Sequence, residues 1–171
     1  MKIPQVINRF NMYKAGNKLI GFTGEVELPT VSMLTDSLEG AGTGGNMDVP
    51  VIGLTENMEV KIPYMAVTKD MMSMANPNQS ADLTIRGAIQ GTDPATGKIA
   101  YTSMAIAFRG TVKEIAPGTI KAGAKMESSV TLTLSYYKIV LDNETVLEID
   151  KLNGIFVVNG EDVLKEVRNM C

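Results

Sequence analysis

Four carboxylates crowd one short stretch of the chain, Asp142, Glu144, Glu148 and Asp150, and such a cluster is where general acid–base work or a hard cation would be sought. Their spacing lacks the alternate-residue acids, the central glycine and the terminal glutamate of a calcium loop. A period of two instead puts Glu144, Glu148 and Asp150 on one open strand face. Lys138, beside Tyr136 and Tyr137, offers a nucleophile. Nothing near it in sequence would activate it, so it reads as a strand lysine whose stem lies on the sheet and whose head reaches water.

Histidine is absent from all 171 residues, which removes the commonest general base, the commonest metal ligand and every Ser-His or Cys-His nucleophile. The single cysteine, Cys171, permits no internal disulfide and no thiolate metal cluster. The four glycines Gly40, Gly42, Gly44 and Gly45 are not followed by the Lys and Ser/Thr of a phosphate cradle. An esterase-like or metal-dependent enzyme is therefore disfavoured, and no cofactor or metal is expected.

A net charge of -3 and a pI near 5.0 argue against a surface built to grip nucleic acid. The opening MKIPQVINRF lacks the apolar core of a secretion signal, and no run of about 18 apolar residues occurs. The expectation is a protein made in the cytosol that does not insert into a membrane. Its length suits one domain with a sizeable core.

The elements that would position any site are strands. Alternation predicts strands over residues 19–28, where Ile20, Phe22, Val26 and Leu28 oppose Thr23, Glu25 and Glu27, and over 56–65, where Met58, Val60, Ile62 and Tyr64 share a face. Residues 66–75 form a weak helix candidate. Three longer strands are predicted over 82–90, 98–115 and 128–141. The second and third reach about 50 Å at about 3.3 Å per residue, against a usual five or six residues. Strands of that length suit a wall. Their second face is small and polar: Thr84 and Arg86, then Ser103 and Arg109, then Ser129, Thr131, Thr133 and Ser135.

Residues 34–50 hold the glycines with Asn46, Met47 and Asp48, carry no base, and read as a flexible loop, since glycine loses most entropy on ordering. Residues 19–60 carry seven acids and no base, whereas 86–125 carry six bases and two acids. Opposite signs on separate segments suit head-to-tail association, or salt bridges within one subunit. At the C-terminal end, Asp142-Asn143 predicts a hairpin turn between strands 128–141 and 145–150. An apolar run follows at 155–158, and Asn159-Gly160 with Glu161 and Asp162 predicts the start of a helix over 161–169. On these signals alone the chain is a mainly β domain with a short flanking helix and a docked C-terminal helix.

The order Tyr136-Tyr137-Lys138, Asp142, Glu144-Thr145, Glu148, Asp150, Asn153, Asn159-Gly160 and Asp162, with the opening NMYKAGNKLIGFTGEVELP, resembles the major tail tube proteins of contractile-tailed bacteriophages and R-type bacteriocins. The likeness runs along nearly the whole chain as one tail tube domain, 1–171. It implies an antiparallel β-barrel or sandwich subunit that forms stacked hexameric rings around a channel, with residues 40–48 as a ring-stacking element and the Ser/Thr strand face toward the lumen. The implied partners are further copies, a contractile sheath, a tape measure protein, a baseplate and a tube terminator. DNA would pass only as cargo, or ions in a bacteriocin, and the particle would act outside the cell on a bacterial envelope. The competing reading is a monomeric β-barrel module with a small ligand in its mouth, for which 5% aromatic content supplies little lining.

Overall fold

A computed structural model describes residues 2–22 and 24–171. Nine strands form one antiparallel sheet in the order β11-β10-β9-β8-β7-β6-β1-β2, with β5 paired to β8, and β3 and β4 form a separate two-stranded sheet. The strands are β1 (Ile3–Lys14), β2 (Asn17–Lys18), β3 (Met33–Leu38), β4 (Met47–Thr55), β5 (Glu59–Tyr64), β6 (Ala81–Thr92), β7 (Ile99–Ala116), β8 (Ser128–Leu141), β9 (Glu144–Asp150), β10 (Ile155–Val158) and β11 (Glu161–Asp162). Two short helices are α1 (Lys69–Ser73), capped by the Thr68 hydroxyl, and α2 (Lys165–Met170). The sheet does not close into a barrel among the described residues, and the architecture is sandwich-like.

The spine is β8. Its first half, residues 128–133, pairs with β5 and its second half, 136–141, with β9, while β7 runs along its other side throughout. The two halves meet at a β-bulge: Arg109 faces Tyr136 but Gly110 faces Leu134, leaving Ser135 without an opposite. An extra residue reverses the alternation. Leu134 and Tyr137, three apart, therefore both face the core at 2% exposure.

That core gathers Met58, Val60, Ile62 and Tyr64 of β5 with Leu83, Ile85, Ile106, Phe108, Val130 and Leu132. Each such large apolar side chain contributes about 1.5–3 kcal/mol on burial. Burial also pushes the Tyr64 hydroxyl up to about 12, with the Asp70 charge adding to it.

Several expectations change. Residues 19–28 do not form a regular strand. Gly21 and Gly24 have φ of 97° and 82°, which breaks an extended run, and among the described residues only the bridges Phe22–Tyr64 and Glu27–Lys61 remain. Thr23 lies outside the described residues. The predicted loop at 34–50 is largely a hairpin, β3 and β4, with residues 39–46 at its tip. Strand β1 was not expected, because bulges between Pro4 and Val6 and between Ile7 and Arg9 erase its alternation.

The C-terminal helix starts at Lys165, not at 161. Asn159 and Gly160, with φ of 50° and 81°, make the tight turn joining β10 to β11, so the pair acts as a hairpin signal and not as a helix cap. Of Val163, Leu164 and Val167 in this stretch, Leu164 is buried, while Val163 and Val167 are 42% and 53% exposed.

Candidate functional site

The face of the sheet turned away from the core brings together most of the residues singled out on sequence. Reading across the strands, Tyr13, Thr84, Ala107, Lys138 and Glu148 form one row. Asn11, Arg86, Ala105, Val140 and Thr145 form the next. On the other side lie Asp82, Arg109, Tyr136 and Asp150, then Thr111, Thr133 and Glu59, and then Glu114, Thr131 and Lys61. Small side chains alternate with single charges of both signs. Ser103 sits on the same face near the far end of β7, opposite Ala88.

Two expected members differ. Ser129 lies in register with this face, yet it is buried at 7% exposure between Pro63 and Ala116. Ser135 occupies the bulge, where its hydroxyl donates to the Arg109 carbonyl at 3.4 Å. Glu144 also leaves the acidic row: the register shifts between Ile139 and Val140, so Val146 has no partner on β8 and Glu144 falls on the opposite side from Glu148 and Asp150. The four acids are thus divided, and among the described residues no group of three or more metal-binding side chains forms.

Charges on this face are held by neighbours. Arg109 pairs with Asp82 at 3.5 Å and lies 5.5 Å over the Tyr136 ring, whose hydroxyl donates to Glu148 at 3.1 Å. Desolvation first, then the Glu148 charge, pushes Tyr136 up to about 12. Arg86 lies 5.8 Å over Tyr13, and Lys113 pairs with Glu59. These contacts orient side chains over a broad surface, and Glu59 also lines a polar cavity of about 330 Å³ with Lys61, Thr131 and Glu27.

The three aspartates of the family motif serve turns. Asp142 and Asn143 have φ of 46° and 66°, as a mirror-image hairpin turn requires, and the Asp142 carboxylate accepts from the Ser103 N–H at 3.0 Å. Asp150 accepts from the N–H groups of Leu152 and Asn153 and from the Asn153 side chain. Desolvation raises its pKa, but those hydrogen bonds and the Arg109 charge outweigh it and leave it below the usual carboxylate range. Asp162 pairs with Arg168, and that contact first, with the Leu164 N–H it accepts at 3.2 Å adding to it, holds its carboxyl below the usual range.

The β3–β4 hairpin is the second feature. Apolar Leu34, Leu38, Met47, Val49, Val51, Ile52 and Leu54 are all exposed along it. At the tip, Thr43 donates to the Gly40 carbonyl and Asn46 to Glu39, and a Cβ placed on Gly40, Gly42, Gly44 or Gly45 would meet nothing within 4 Å. Its base is held by Lys151, whose ammonium donates to the Glu56 carbonyl at 2.6 Å.

Sequence reasoning missed the free edge of β1. Beyond its pairing with β6, β1 among the described residues meets β2 only at Tyr13 and Lys14, and Ile3, Val6 and Ile7 are more than half exposed. Ile3, Val6 and Ile7, close together near the start, were the available signal. An edge this long invites another strand.

The family described as phage tail tube protein FII matches residues 4–170. The chain is 27% identical to the tail tube protein of Escherichia phage P2 over 98% of its length and 97% of that protein, and 26% identical to the major tail tube protein of Serratia phage KSP20 over 95% and 92%. Its fold is similar to chains from an extracellular contractile injection system. One is from the sheath/tube terminator structure, with a TM-score of 0.52 and 14% identity over 81% of this chain and 96% of that chain. Another, from the sheath–tube complex, has a TM-score of 0.51 and 16% identity over 81% and 90%. A broad polar sheet face, an open strand edge and an exposed apolar hairpin, on a chain matched end to end, place this protein in the phage tail tube family as a structural tube subunit.

Proposed function

We propose that the subunit assembles into hexameric rings stacked as the inner tube of a contractile tail or tail-like particle, with the polar sheet face lining the channel. The observation that carries this reading is the β7–β8 pair. Strands of 18 and 14 residues pack one face into the core and present small or charge-balanced side chains on the other. Lateral closure through the free edge of β1 would remove the open edge and complete a barrel between subunits. Rings joined head to tail do not close, so a filament results.

The β3–β4 hairpin, with its tip at residues 39–46, is the stacking element of this proposal. In the same reading the tube sits inside a contractile sheath, starts at a baseplate, ends at a terminator and takes its length from a tape measure protein. DNA passes only as transiting cargo, or ions in a bacteriocin-like particle. The subunit is assembled in the bacterial cytoplasm and released as part of the particle. It performs no catalysis.

Negative-stain electron microscopy of the purified protein over a range of concentrations tests this. Rings or hollow filaments of uniform bore are expected. A monomer at every concentration, even with a tail baseplate as nucleus, would overturn it.

A further inference from the structure

An apolar groove of about 420 Å³ opens on the core side of the sheet, floored by Ile7, Phe10, Ile85 and Met104 and walled by Val26 and Leu28 of the irregular 24–28 segment. Glu25 and Glu27 line its rim, both exposed. The segment above it cannot seal it, because Gly24 at φ 82° turns the chain and only the Glu27–Lys61 bridge ties this stretch back to β5.

At the far end of β7 lies a feature of opposite character. The loop of residues 117–127 carries Ile120, the most exposed large apolar side chain described, at 88%. Lys121 and Lys125 flank it, both exposed. Among the described residues none of Glu25, Glu27, Lys121 and Lys125 enters a salt bridge. The loop is also well anchored: Thr119 N–H donates to the Met126 carbonyl at 2.8 Å, and Met126 N–H to the Met65 carbonyl at 2.9 Å. An isoleucine presented to water on a fastened loop is a prepared contact, since burying it would contribute about 1.5–3 kcal/mol.

The two features do not meet within one subunit: Ile120 stays 88% exposed, while the rim acid Glu27 is bridged to Lys61, which lies across β8 from Glu114 of β7. We infer that the Ile120 loop of one copy seats in the groove of the next, with Lys121 and Lys125 against Glu25 and Glu27. The contact is heterologous, joining two different surfaces of neighbouring copies. It rests on the tube reading and adds to it a second contact between copies, distinct from the β3–β4 hairpin, with its residues.

The test uses full-length protein and measures the concentration at which filaments appear. Ile120→Asp alters an exposed side chain, so the thermal melt stays at the wild-type value, while the filament threshold rises about tenfold or more. Lys121→Glu with Lys125→Glu raises the threshold as well, and adding Glu25→Lys with Glu27→Lys in the same chain brings it back. Wild-type filaments with an unchanged threshold for Ile120→Asp would overturn the contact, as would failure of the four-residue exchange to restore assembly. An unchanged threshold together with saturable uptake of a fatty acid by the monomer would assign the groove to a small ligand instead. Absence of wild-type filaments would count against the tube reading itself.

Discussion

Gly53 and Leu164 occupy the same space to the point that no side chain fits between them: a Cβ at Gly53 would lie 2.6 Å from Leu164 Cγ. Gly53 also has φ of 79°, a left-handed conformation that L side chains resist. Leu164, just before α2, is thereby the latch that holds the base of the β3–β4 hairpin against the body. Gly53→Ala is expected to cost about 1–3 kcal/mol from strain and overlap together. Leu164→Ala relieves the overlap, so urea midpoints should show the double variant losing less than the two single losses combined. Strict additivity would mean that the residues do not communicate.

Gly110 sits where β8 bulges, and a Cβ there would lie 2.8 Å from the Thr133 carbonyl carbon. Backbone at the centre of a sheet yields less easily than a side chain. Gly110→Ala should therefore cost more than about 2 kcal/mol. Gly97→Ala, at φ 68° with open space around it, should cost only about 1 kcal/mol. Equal losses in denaturant melts would show that the bulge can relax.

Acid weakens the turns before it reaches the core. Asp93, Asp150 and Asp162 all have pKa values below the usual range in the folded chain. For Asp93 the Ala95 N–H and the Thr96 hydroxyl are the causes. A depressed folded value gives stability that is complete above the unfolded value of about 3.9 and is lost as pH falls through the lower folded values. Urea midpoints should hence fall from about pH 4 downward, and Asp150→Asn should flatten that fall while lowering the plateau. A pH profile indifferent to Asp150→Asn would remove it from this role.

Thr131 and Thr133 are half-buried on the face away from the core, opposite Lys61 and Glu59 of β5. Lysine at both positions should fold with a melting temperature within about 4 °C of wild type, and if this face lines the channel as proposed, filaments of the variant should hinder DNA passage because their bore would be basic. An unfolded variant would mean that this face packs and does not line a channel.

Removing residues 42–45 shortens the hairpin tip where no glycine touches the rest of the subunit. Circular dichroism and the melt should be unchanged. In electron micrographs, rings should persist while filaments disappear; filaments of normal length would take the stacking role away from the tip.

Much of this protein was legible in order along the chain. Alternation located β5 to β8, because a strand buried on one face must repeat every second residue, and Met58, Val60, Ile62 and Tyr64 are all fully buried as that pattern requires. The missing histidines and the hairpin signal at Asp142-Asn143 were equally local. What the chain alone concealed were the places where pairing overrides pattern. Bulges at Gln5, Asn8, Ser135 and Val146 each insert one residue. They hid β1, drew Leu134 and Tyr137 onto one face and moved Glu144 off the acidic row. Asn159-Gly160 fits a helix start and a hairpin turn equally well, and only the pairing of Glu161 with Val158 decides between them. The groove beneath residues 24–28 and the Gly53–Leu164 contact arise between segments distant in sequence, and packing between such segments exists only once the sheet has formed.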